Sequence, residues 1–139
     1  MSTNSKSFQV SQAIANGPDT LVGTTRVTGT IAAANTATLV LAAKAGHYYS
    51  IVAYHLSPNP NTGSDLSYTI ANASNGATKT IPGIHLDKGS AMFVCPFNPD
   101  GWFVTGVNEP IYITATATGG GYNFVIREVY VPTKHPDLL

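Results

Sequence analysis

The chain has 139 residues, enough for one domain and too few for two with separate cores. Only 10% of them are charged, against roughly 25% in an ordinary soluble domain. Seven basic and seven acidic side chains cancel, so there is no bulk attraction to nucleic acid, an anionic membrane or an acidic substrate. Seven Tyr and five Phe argue against disorder, and a lone cysteine excludes an internal disulfide framework or a CxxC motif.

Residues 1–25 form a polar, small-residue arm with isolated apolar positions at Phe8, Val10, Ile14, Leu21 and Val22. Gly17-Pro18-Asp19 breaks any helix begun before it, because proline has no amide donor and glycine loosens the backbone. These five apolar side chains lack local partners and are expected to tie one copy of the chain to another. Residues 1–7 show no basic-then-apolar leader, and no apolar run reaches 18 residues. Neither a signal peptide nor a membrane span is therefore expected.

From Arg26 the pattern changes to period two, with β-branched and aromatic residues alternating with small or polar ones. Strands are expected at 26–33, 37–43, 47–57, 65–72, 78–84, 90–97, 110–118 and 122–131. Asn35-Thr36 reads as the turn of a hairpin between the first two, and Gly119-Gly120-Gly121 as a tight hairpin before the last. Alternation places Leu66, Tyr68 and Ile70 on one core face and Ile111, Ile113, Ala115 and Ala117 on another. In 47–57 both parities are apolar, as in a central strand covered on both sides. With no helix to place, the expected fold is all-β: a single jelly-roll-like antiparallel β-sandwich over 26–132, with an N-terminal arm (1–25) and a short tail (133–139).

Chemistry is sparse. His47 and His55, eight residues apart on one strand, lie about 26 Å from each other and cannot share a metal within one chain. His85-Leu86-Asp87 sets a carboxylate beside an imidazole with no nucleophile near in sequence, and His135 stands alone in the tail. Cys95, between Val94 and Pro96, reads as a small hydrophobe. Asp100 and Glu109 flank one loop region and read as turn residues rather than a calcium site. Asn72-Ala73-Ser74 matches a glycosylation sequon by chance. Phosphate-binding, hydrolase-elbow and zincin motifs are absent, so no catalytic residue, no cofactor and no metal is expected, although three copies of His85 or His135 meeting on a three-fold axis would escape this reasoning.

The most individual stretch is 95–106, where Asn98-Pro99-Asp100-Gly101 turns the chain and delivers Trp102 and Phe103. Two readings stand: Trp102 plugs one end of the sandwich, or Trp102 with Tyr48 and Tyr49 offers an aromatic platform to a sugar or a protein. The order Thr38 to Ala43, Tyr48 to Ala53, Phe97 to Thr105 and Gly119 to Val131 resembles the small β-sandwich capsid decoration (cement) proteins of tailed bacteriophages. That resemblance implies a homotrimeric, non-enzymatic structural protein made in the host cytoplasm and seated on the outer head surface of the virion. Its partners would be the major capsid protein and its own copies, with no nucleic acid and no membrane. The alternative is a receptor- or glycan-binding module at a tail tip or fibre.

Overall fold

The computed structural model describes residues 21–58, 65–87 and 92–132. Phe8, Val10, Ile14 and His135 lie outside them. Nine strands run in chain order: β1 (Leu21–Thr30), β2 (Thr38–Leu41), β3 (His47–Ser57), β4 (Leu66–Ala71), β5 (Thr80–Leu86), β6 (Phe93–Cys95), β7 (Phe103–Val104), β8 (Ile111–Ala115) and β9 (Gly121–Tyr130). Among the described residues there is no helix, and so none long and apolar enough to cross a membrane.

The first sheet has the order β1-β9-β3-β6, with β7 also pairing β3, and the second has the order β2-β8-β4-β5. All pairs are antiparallel. With the two-residue β7 set aside, the eight remaining strands divide between two four-stranded sheets in jelly-roll order. Among these eight, apart from β4–β5, each strand passes to the opposite sheet from its predecessor.

This corrects two expected hairpins. Asn35 does turn the chain, with φ of 56° and its amide donating to the Ala115 carbonyl at 2.7 Å, but β1 and β2 belong to different sheets. Gly119, at φ of 88°, turns the chain from β8 in one sheet to β9 in the other. A turn-former bounds a strand without naming its next neighbour.

The arm also ends sooner than its composition suggests. Leu21 pairs with Tyr130 and Val22 with Val129, so residues 21–25 belong to a ten-rung ladder along β9. The β-branched run there finds its partner in a strand a hundred residues away.

Leu66, Tyr68 and Ile70 of β4 and Ile111, Ile113 and Ala115 of β8 are all buried toward the core, with Ala117 packed against it. Opposite them lie Tyr122, Phe124 and Ile126 of β9 and four residues of β3. In β3 the parity changes midway. Ile51 pairs with Ile126 but Ala53 pairs with Val125, so Val52 is the extra residue of a β-bulge. Tyr49 and Ile51 face the core before it, Tyr54 and Leu56 after it. The mixed pattern of 47–57 is thus one core face interrupted by a bulge, not a strand apolar on both sides. The bulge also sends the equally odd-numbered His47 and His55 to opposite faces.

Candidate functional site

The free edge of the first sheet is built by residues 92–107, which form β6, a loop and β7. The loop is a β-turn in which Gly101 N–H donates to Asn98 O at 3.0 Å and Asn98 Oδ1 accepts from Asp100 N–H at 3.0 Å. Gly101 has φ of +83°, and a Cβ there would lie 2.1 Å from Ser50 Oγ, so the turn lies against β3 at a distance only glycine permits. Asn98 N–H donates to Val52 O at 2.7 Å, Trp102 N–H to Ile51 O at 2.8 Å and Arg127 to Pro99 O at 3.0 Å. The carbonyl at the β3 bulge is thereby used to hold the turn.

The turn sends its two aromatics in opposite directions. Phe103 enters the core at 6% exposure, while Trp102 stays 41% exposed, its indole N–H donating to Pro96 O at 2.8 Å. The plug expected of Trp102 is therefore Phe103. Along the same edge, Val94 is 61% and Phe97 65% exposed, and Met92, Phe93 and Val107 are exposed as well. Asp100 is the sole charge in residues 92–107. Sheet edges that must stay unpaired usually carry charge or proline against association; here the prolines, Pro96 and Pro99, stand in the loop after β6, and β6 itself carries no charge and exposes Phe93 and Val94. A groove of 260 Å³ continues from it onto the outer face of the sheet, between Arg26, His55, Val94, Pro96, Asn123 and Val125.

The other expected platform residues divide. Tyr48 is half-buried, but Tyr49 is a core residue whose hydroxyl donates to Ala42 O at 2.6 Å, so it cannot stack on a ligand. Burial and the Glu128 carboxylate hold its phenol above the ordinary range. Cys95 is half-buried against the core, and its contact with the Tyr54 hydroxyl adds to burial in raising that phenol far above its usual value. His47 Nδ1–H donates to Ala45 O at 2.8 Å, and the ring packs on Tyr130, 5.1 Å between ring centres.

Asp100 and Glu109 do not converge. Glu109 accepts from Gly106 N–H and from the Asn72 side chain, and Asn72, Gly106 and then Lys79 hold its carboxyl below the usual carboxylate range. Asn72 is buried, with its amide donating to Thr78 Oγ1 at 2.9 Å and its carbonyl accepting from the amides of Thr78 and Lys79. The sequon is closed to glycosylation in the folded chain.

The sequence reading found only half of a second cluster, the His85–Asp87 pair. Leu66 pairs with Leu86 and Ser67 with His85, which aligns positions 65, 67, 85 and 87 on the outer face of the second sheet. His85 Nε2 lies 2.8 Å from Asp87 Oδ1, and its Nδ1 lies 3.0 Å from Ser67 Oγ. Asp65 completes the group. Only the β4–β5 register brings Ser67 and Asp65 there, and no local spacing announces it. A hydrolytic triad sets serine on Nε2 and a buried aspartate on Nδ1, whereas here the nitrogens are exchanged and Asp87 is exposed.

No protein-family model matches the chain, and no curated protein matches it. Among solved structures the chain is similar to a subunit of Bacillus endospore appendages, described as disulfide-linked pili, at 21% identity and a TM-score of 0.49 over 82% of this chain and 89% of that one. It is also similar to a chain of infectious bursal disease virus, Gt strain, at 14% identity and a TM-score of 0.40, covering 86% of this chain and 35% of that one. The VP2 subviral particle of the same virus gives 14% identity and a TM-score of 0.41, covering 81% and 32%. This chain spans about a third of those viral chains.

Proposed function

We propose that this chain is a non-enzymatic structural subunit that assembles with its own copies, and that its place is the outer surface of a bacteriophage head as a decoration or cement protein. The observation that carries the assembly is the edge formed by 92–107, where five exposed apolar side chains besides Trp102 stand with a single charge. Burying such an edge between subunits removes apolar area from water and satisfies open strand groups together. The resemblance to cement proteins supplies the head and the expected trimer, with the major capsid protein as second partner.

Light scattering on the purified chain tests the assembly: a trimer supports it, and a 14.5 kDa species alone at micromolar concentration refutes it. Binding to expanded phage heads tests the location. Removal of residues 1–20, which leaves the β1–β9 ladder whole, should weaken head binding without unfolding the sandwich; unchanged occupancy refutes the arm as tether. The exposure of Trp102 favours a second reading, a receptor- or glycan-binding module at a tail tip. Loss of host-cell attachment in Trp102→Ala, with head binding intact, would select it.

A further inference from the structure

We propose that Asp65, His85 and Asp87 form a surface site for one divalent transition-metal ion of the zinc type, independent of the assembly reading. One ligand atom from each residue lies within 4.8 Å of the other two. Metal–ligand bonds of about 2.0–2.2 Å bring such atoms to within roughly 3.5 Å of each other, a closure within reach of exposed side chains by small rotations.

The strand register makes the group. With Leu66 and Leu86 paired and buried, residues one step away on each strand point to the opposite face, so Asp65 faces Asp87 across the ladder end and Ser67 faces His85. Two carboxylates on facing strands repel. A dication between them and the imidazole converts that repulsion into ligation.

Ser67 Oγ positions the ring. In the structure Nε2 donates to Asp87 Oδ1 at 2.8 Å; a metal takes the place of that proton, the ring's proton then sits on Nδ1 and is donated to Ser67 Oγ, 3.0 Å away, and the Nε2 lone pair is turned to the metal. One imidazole and two carboxylates suit zinc, cobalt or nickel. Calcium requires six to eight oxygens, and magnesium gives up its water reluctantly. Water fills the open coordination positions.

The test is calorimetric titration of the chelator-stripped full chain with zinc chloride, with magnesium chloride as comparison. Expected is about one zinc per chain and no magnesium binding. Asp65→Asn and His85→Ala should each weaken zinc by about tenfold or more with unchanged circular dichroism, while His55→Ala leaves it unaltered. Cobalt(II) added to the isotopically labelled wild-type chain gives a readout that needs no variant: paramagnetic broadening should centre on residues 65–67 and 85–87. Absence of zinc binding at millimolar metal, binding that survives His85→Ala, or broadening centred on another histidine would each overturn the site.

Discussion

The Tyr68 hydroxyl makes a quantitative test of what joins the two sheets. Tyr68 rises from β4, is fully buried, and shares its hydroxyl proton between Ser57 O at 2.9 Å and Gly121 O at 3.2 Å. Ser57 and Gly121 form the last rung of β3–β9, so one side chain of the second sheet closes a rung of the first. Tyr68→Phe keeps the ring and its packing but leaves those carbonyls without this donor, at a cost of about 1–3 kcal/mol. In a domain of this size that lowers Tm by roughly 4–12 °C.

The same hydroxyl supplies a pH signature. Burial raises its pKa from 10.0 to about 12. The stabilisation is complete below the unfolded value, because both states then hold the proton. It declines between pH 10 and 12, where the unfolded chain ionises first, and it is gone above the folded value. The loss amounts to roughly 2.7 kcal/mol in the wild type and is absent from Tyr68→Phe. Urea denaturation across this range should show the neutral-pH gap between the two proteins closing or reversing. A gap that stays constant with pH, or a neutral-pH difference under about 0.5 kcal/mol, would refute the reasoning.

Acid should act through Glu109. Its carboxyl is held low in the fold, so its contribution is present above the unfolded value near 4.5 and disappears as pH falls through the folded one; Glu109→Gln should flatten the acid limb of stability measured by denaturant melts. Phe103→Ala should cost about 3–5 kcal/mol in thermal unfolding, and Trp102→Ala distinctly less, since much of the indole is already in water. Deletion of Val52 should leave a folded protein by circular dichroism, because removing the bulge restores uninterrupted alternation of Tyr49, Ile51, Tyr54 and Leu56. Deletion of Ser50, which drives Tyr49 to the wrong face, should abolish folding, and equal damage from the two deletions would contradict the register.

Strand positions were legible because period two and turn residues are local signals: 47–57 matches β3 end to end, and the core faces of β4 and β8 follow from alternation alone. What stayed hidden depends on distance. Asn35 and Gly119 mark turns but not the sheet the next strand joins. Two-residue β7 is too short for any period. Asp65 and Ser67 reach His85 and Asp87 only through a register between strands, and the Ser67–His85 contact spans 18 residues. Trp102 and Phe103 are chemically alike neighbours, and only the direction of the chain after the turn decides which is buried.

Val52 joins the hidden feature to the candidate surface. An added residue in β3 reads in sequence as apolar content on both parities, because a bulge reverses the face without changing composition. In the fold, the Val52 carbonyl accepts Asn98 N–H, and the Ile51 carbonyl beside it accepts Trp102 N–H. The turn that displays Trp102 and Phe97 therefore hangs from the irregularity. A regular β3 would pair the Val52 carbonyl with β9 or place it elsewhere along the edge, and the loop would lose the anchor that sets its aim. The bulge thus does two jobs with one residue: it keeps Tyr54 and Leu56 in the core, and it presents an apolar edge to a neighbouring subunit.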